Sequence, residues 1–296
     1  MNFEAFVKDI RDNHWNVHGV EVYENGVLTH SCGDTEENLH NVYSIAKSIL
    51  SIAIGIAWDR GQFDPDLSVL SYMPKERTEK LSERQRETFE TITIRRLMCM
   101  SVGDLPFPVE GESWLDHALA CPVTNPRAMT FNYSNNSAYL AGVALTEALG
   151  TDLGEFIEDN IFAPLGITRF SYTRCPDGYF YGASNVMLTV HDLSRIGLLL
   201  LNGGVYDGRR IVSEEYVRMA TSCQLSCDES GYGYFFWMYP GGFSMNGTRK
   251  QKCYVLPPRN MMVTYLSDIE DPSSALKDSM EKYVLGQPNP ETPENT

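Results

Sequence analysis

The sequence predicts an α+β protein in which one antiparallel sheet is built from the N- and C-terminal segments, flanked by helices and joined to an all-helical lobe. Three observations predict it. Period-two alternation is confined to residues 17–32 and to the stretch after Gly231. Helical periods fill the length between them. Residues 45–58 form an apolar run with almost no polar face, the pattern of a helix buried all round. The domains expected from this order are a discontinuous sheet lobe, 1–65 with 185–286, and a helical lobe, 66–184. A Pro-rich tail, 287–296, is expected to be disordered.

Residues 2–12 read as a short helix, followed by a hairpin of Val17–Tyr23 and Val27–Cys32 around Glu24-Asn25-Gly26. A polar loop, Gly33–Asn41, leads to the buried helix, with Gly61 as its stop and Asn41 or Ser44 as its cap. Asp64-Pro65-Asp66 is expected to cap a short helix ending before Pro74, and the charged run Lys75–Glu90 to face water. Further helices are expected over 93–100, 114–120, 134–149, 152–161 and 190–202, with His191-Asp192 starting the last. Tyr232–Tyr239, Lys252–Leu256 and Met261–Leu266 read as strands, with turns at Asn246-Gly247 and Pro257–Asn260. A last helix covers about 272–285.

Composition excludes several classes. A formal charge of −15 over 296 residues disfavours nucleic acid and anionic membranes, because both demand clustered Lys and Arg. No apolar run reaches the roughly 18 residues that span a bilayer. The seven cysteines lack paired spacing and the chain opens without a leader pattern, so a cytoplasmic location is expected. The six histidines lack metal-ligand spacing, and no glycine loop fits a nucleotide, so neither metal nor cofactor is expected. The expected partner is a small molecule; oligomeric state is not readable.

Chemistry concentrates at the mouth of the buried helix. Ser44 and Lys47 lie three apart, which puts hydroxyl and amine on one face with Cβ atoms about 5–6 Å apart. An amine beside a hydroxyl at a helix N-terminus is a way to make a nucleophile. Spacing alone does not distinguish this pair from Ser274 and Lys277, which sit in an amphipathic segment. A second constellation, Tyr133-Ser134-Asn135, places a phenol and an amide at the start of another helix. A third, Phe243–Thr248, has a glycine that would let backbone approach a ligand, although Asn246-Gly247 is by itself a turn signal.

Taken together, Ser44-x-x-Lys47, then Tyr133-x-Asn135, then a glycine in a late strand resemble the serine β-lactamase and penicillin-binding-protein superfamily, most closely its class C-related branch, which includes esterases and amidases. The stretches Phe162-Ala163-Pro164-Leu165-Gly166-Ile167 and Asn202-Gly203-Gly204 through Val212 extend the resemblance over nearly the whole chain. It implies a β-lactamase/transpeptidase-like fold, Ser44 as acylated nucleophile, Lys47 as its proton acceptor and Tyr133 as second acid or base. Asn135, Asn246, Gly247 and Thr248 would bind substrate, the last near an oxyanion donor.

One departure narrows the expectation. Where the family usually has Lys-Thr-Gly or His-Thr-Gly, this chain reads Met245-Asn246-Gly247. The groups that hold a substrate carboxylate are missing there, which favours an esterase or amidase on small uncharged acyl substrates. The alternatives are a β-lactamase or D,D-peptidase with an altered third motif, and a non-catalytic binding relative. For Lys47 to act as a base, its pKa must fall about 3 units, and burial on an apolar helix pushes that way.

Overall fold

The computed structural model describes residues 1–227 and 231–286; the tail expected to be disordered lies outside them. Helix α1 (Phe3–Asp12) starts at Asn2, whose side chain accepts the Ala5 N–H. Strands β1 (Val17–Glu24) and β2 (Val27–Gly33) follow, joined through Asn25 and Gly26 at φ 55° and 77°, the backbone a two-residue hairpin turn requires. The polar loop then contains a short strand, β3 (His40–Asn41), before helix α2 (Ile45–Asp59).

Helices α3 (Lys75–Thr78), α4 (Glu83–Glu90), α5 (Ile94–Met98), α6 (Trp114–Ala120), α7 (Asn135–Leu149) and α8 (Leu153–Ile157) build the next stretch. Strands β4 (Ser171–Tyr172) and β5 (Val186–Leu188) precede helix α9 (Val190–Leu201). A small hairpin, β6 (Val205–Tyr206) and β7 (Arg209–Arg210), leads to α10 (Glu214–Ala220). Strands β8 (Trp237–Tyr239), β9 (Gly242–Gly247), β10 (Gln251–Leu256) and β11 (Met261–Ser267) and helix α11 (Ala275–Met280) complete the described chain.

The main sheet runs β2-β1-β11-β10-β9-β8, antiparallel throughout, so N-terminal β1 is wedged against C-terminal β11. One face packs Phe243, Met245, Cys253, Val255 and Met262 into the core that holds α2 and α9. The other packs Val20, Val22, Tyr254 and Tyr265 with Phe6 of α1 and Leu276 and Met280 of α11. A second sheet, β3-β5-β4, ties the approach to α2 to the segment after residue 170.

Helix α2 is buried from Ile45 to Ala57, as its apolar run requires. Its hydroxyls are paired inside: Ser48 Oγ donates to Phe235 O at 2.7 Å, and Ser51 Oγ meets Tyr216 Oη at 3.2 Å. Buried polar groups with partners cost little, so the helix keeps them without loss.

Several local expectations are corrected. Ser68, not Asp64 or Asp66, caps the segment before Pro74, which is a single 3-10 turn at Val69–Ser71. Thr189 Oγ1 caps α9 by accepting the Asp192 N–H at 3.0 Å, leaving His191 free to reach the buried carboxylate of Glu21 at 3.0 Å. The strand expected over Tyr232–Tyr239 shrinks to Trp237–Tyr239, because Phe235 takes a left-handed φ of 63° and breaks the alternation. Asn246-Gly247 is no turn: it closes strand β9 and pairs with Gln251 and Lys252, and the chain reverses at Thr248–Lys250.

Candidate active site

The segment entering α2 is held in an unusual shape. Val42 N–H donates to Val186 O at 2.9 Å, and Tyr43 takes φ 47°, the left-handed region that a bulky residue avoids. Asn41 stabilises it: its Oδ1 accepts the Tyr43 N–H at 2.8 Å, and its Nδ2 donates to Asn185 Oδ1 at 3.2 Å. Ser44 follows at the helix N-cap position, yet its hydroxyl caps nothing. Among the described residues no acceptor is paired with the Ser44 N–H.

Lys47 is 1% exposed, and its Nζ has three oxygens around it. Ser44 Oγ lies at 3.0 Å, Asn135 Oδ1 at 2.7 Å and Ala183 O at 2.7 Å. Burial, with no neighbouring carboxylate to oppose it, lowers the ammonium from its ordinary 10.5 to about 7. A neutral amine has two N–H groups and one lone pair. Donating to the two carbonyl oxygens leaves the lone pair for the Ser44 hydroxyl. Once protonated, the same nitrogen donates to all three oxygens, so a proton moves between Ser44 and Lys47 without rearrangement.

Tyr133 sits just before α7, its phenol beside the Ser44 side chain and its ring centroid 5.1 Å from Lys47 Nζ. Burial pushes its phenol up to about 12, against the pull of the Ser44 side chain, so it stays protonated in the neutral range. Asn135 is fixed by its own backbone N–H, which donates to Phe107 O at 3.0 Å, and its side chain lies beside that of buried Tyr181. Tyr181, Ala183, Asn41 and Asn185 were not singled out from sequence for the site. Asn41 alone had a signal, as a candidate cap.

The strand carrying the third motif reaches the same place. A Cβ on Gly247 would stand 2.4 Å from Val42 O, so only glycine lets β9 close against the segment that carries Ser44. Thr248 then begins a turn in which Arg249 and Lys250 take φ 64° and 67°. Ser267 Oγ donates to Arg249 O at 2.7 Å, and the Gln251 side chain bonds both N–H and C=O of Ser267, at 2.9 and 2.6 Å. The Arg249 guanidinium pairs with Asp268 and Glu270, and Lys250 donates to Ser273 O.

The sequence-derived residues therefore separate into two groups. Ser44, Lys47, Tyr133 and Asn135 are brought together, with Gly247 against their backbone. Asn246 lies across from Lys252, on the sheet face opposite that of Met245, and lines a cavity of about 520 Å³ with Thr248, Arg249 and Glu270. The comparison pair Ser274 and Lys277 is an ordinary helix surface: Ser274 Oγ donates to Asp278 at 2.7 Å, and Lys277 lies 3.6 Å from Glu281. Among the described residues no group of three or more His, Cys, Asp or Glu could hold a metal ion, and no helix is long and apolar enough to cross a membrane.

Comparison with known proteins bears on the family and the fold. A family model described as Beta-lactamase matches residues 14–283. A 6-aminohexanoate-dimer hydrolase of Paenarthrobacter ureafaciens is 20% identical over 290 residues, covering 86% of this chain and 72% of that protein. Among solved structures, FmtA from Staphylococcus aureus superposes with a TM-score of 0.76 at 15% identity, over 99% of this chain and 90% of FmtA. The octameric penicillin-binding protein homologue from Pyrococcus abyssi gives a TM-score of 0.73 at 18% identity, over 96% and 77%.

Proposed function

This chain belongs to the beta-lactamase family and is a hydrolase, and from that premise we propose that it cleaves small uncharged amides or esters through an acyl-enzyme on Ser44. The observation that carries the reading is the buried Lys47, whose Nζ lies 3.0 Å from Ser44 Oγ and 2.7 Å from both Asn135 Oδ1 and Ala183 O; its burial favours the neutral amine that can accept the Ser44 proton.

In the first step Lys47 takes the Ser44 proton as Oγ attacks the substrate carbonyl. The developing oxyanion falls to the Ser44 N–H and the backbone N–H of Thr248. Each such donor is worth about 3–4 kcal/mol in the transition state. Collapse breaks the bond to the leaving nitrogen or oxygen, which takes a proton from Lys47 through the Tyr133 hydroxyl. The same groups run in reverse to activate the water that frees Ser44. Asn135 holds Lys47 in place.

The substrate class rests on what surrounds the site. Met245-Asn246-Gly247 offers no cation, and the Arg249 guanidinium is paired with Asp268 and Glu270. A curated relative that hydrolyses a 6-aminohexanoate dimer supports an amide bond. The test is a fluorophosphonate probe followed by peptide mass analysis, with turnover of amides, nitrophenyl esters and a chromogenic cephalosporin beside Ser44→Ala. Adduct on the Ser44 peptide and loss of turnover in the variant are expected. An unlabelled Ser44 or an active Ser44→Ala enzyme would sink the proposal; faster turnover of the cephalosporin would make the chain a β-lactamase instead.

A further inference from the structure

Phe107 is a large apolar side chain left 54% exposed, and it is not on a loose loop. Prolines 106 and 108 flank it and fix their own φ angles. Four successive carbonyls of this loop accept hydrogen bonds from the segment containing Tyr133 and Asn135. Leu105 O takes Asn132 Nδ2 at 2.8 Å, and Pro106 O takes Ser134 Oγ at 2.6 Å. Phe107 O takes the Asn135 N–H at 3.0 Å, and Pro108 O takes Asn136 Nδ2 at 2.6 Å. An exposed aromatic ring is therefore carried on a backbone locked to the candidate site.

That ring belongs to a wall around Tyr133. Phe107 lies 6.2 Å from it at an interplanar angle of 26°, and Trp237 lies 5.5 Å from it at 30°. Phe131 closes on Trp237 from behind, edge-on at 5.8 Å. The chain segments that supply the wall, residues 105–108, 129–137 and 231–238, contain no Asp, Glu, Lys or Arg. Nothing in them would select or repel a charge; what they offer is planar apolar surface.

The chemistry decides which part of a substrate meets this wall. When Ser44 Oγ forms its bond to the carbonyl carbon, the bond to the leaving nitrogen or oxygen breaks. The proton that came from Ser44 must then end on that leaving atom. Tyr133 is the phenol beside Ser44, its ring centroid 5.1 Å from Lys47 Nζ, so on the relay proposed above the leaving atom lies on the Tyr133 side. We propose that Phe107, with Trp237, forms a leaving-group subsite selecting amines or alcohols that carry an uncharged aromatic or bulky apolar group.

This inference rests on the acyl-enzyme reading, and its test separates the two. One ester series keeps the acetyl group and varies the alcohol from methanol through butanol to benzyl and naphthylmethyl alcohols, which differ little in leaving ability. A second keeps nitrophenol and lengthens the acyl chain. In wild type kcat/KM is expected to rise along the first series. In Phe107→Ala the benzyl and naphthylmethyl esters should lose about tenfold in kcat/KM while methyl acetate changes less than twofold, in keeping with aromatic pair energies. Phe107→Leu should recover part of that loss. The dependence on acyl length should be the same in both proteins. An unchanged alcohol series in Phe107→Ala, or an altered dependence on acyl length, overturns the subsite even when acetyl is found on Ser44; a uniform drop across the nitrophenyl series is expected, because nitrophenol is itself an aromatic leaving group. Failure to find acetyl on Ser44 in wild type overturns the acyl-enzyme reading itself, and the subsite with it.

Discussion

The side chain of Asn41 holds the backbone of Tyr43: its Oδ1 accepts the Tyr43 N–H at 2.8 Å, directly before Ser44, while Tyr43 stands at φ 47°. A non-glycine residue kept in that region costs on the order of 1–3 kcal/mol and persists only where its surroundings impose it. Asn41 imposes it, and Asn185 in turn orients Asn41. Removing the acceptor with Asn41→Ala should let Tyr43 relax and turn Ser44 away from Lys47. A fall in kcat of about tenfold or more with little change in KM is expected, since the loss falls on the transition state. Asn41→Asp keeps the acceptor and should restore most of it; equal kcat in Asn41→Ala and wild type would deny the tie a role.

The pH profile follows from Lys47. Only the neutral amine accepts a proton, so kcat/KM should climb about tenfold per pH unit in acid and level off above about pH 7. Tyr133, pushed up to about 12, adds no falling limb below alkaline pH. A rising limb centred near the ordinary lysine value of 10.5 would show that Lys47 is not held neutral.

Stability carries the same signature. The unfolded chain keeps Lys47 protonated to about 10.5, whereas the folded chain releases that proton near 7. Between those values the unfolded state binds the extra proton, so stability rises with pH. Against Lys47→Met, which does not titrate there, wild type should gain up to about 1.4 kcal/mol per pH unit across the window. Urea unfolding of both proteins at two pH values inside the window measures it. A constant difference would mean that the lysine titrates alike in both states.

Gly247→Ala places a Cβ 2.4 Å from Val42 O, a backbone atom that moves only by parting β9 from the approach to α2. The strain should cost about 1–3 kcal/mol, read by thermal or chemical unfolding. Misplacing the Thr248 N–H should also lower kcat by about 100-fold. Gly103→Ala is the control: its new Cβ meets nothing nearer than Thr130 at 3.9 Å. It should leave both quantities unchanged.

Ser274→Ala and Lys277→Ala should leave activity within about twofold of wild type, because both side chains are engaged on the surface of α11 by Asp278 and Glu281. A large loss in either, measured by ester turnover, would mean that the two Ser-x-x-Lys copies had been assigned the wrong way round.

What the sequence could disclose followed the reach of each signal. The burial of α2 was legible because it is a property of consecutive residues, and Lys47 was an anomaly against it. Asn135 was visible through its spacing from Tyr133. The third oxygen on Lys47 was not, because Ala183 contributes a backbone carbonyl that any residue could carry. The clasp between Asn41 and Asn185 joins residues far apart in the chain, so no window contains it. Asn246-Gly247 misled for a physical reason. The pair favours left-handed turns, but Gly247 serves a close approach to Val42, and the reversal falls on Arg249 and Lys250 instead. Neither of those residues favours positive φ; bonds from Ser267 and ion pairs to Asp268 and Glu270 hold the turn.

The pairing of β1 with β11 has a consequence for how the protein comes to exist. Val20 sits opposite Tyr265, so the first strand made waits for nearly the last before the sheet can close. Such long-range closure is slow and leaves strand edges bare meanwhile. During synthesis α2 emerges early, an apolar rod whose covering strand β9 has yet to be translated. Until the C-terminal third leaves the ribosome, Ser44 and Lys47 have no Gly247 strand beside them, so the site cannot assemble before the chain is nearly complete.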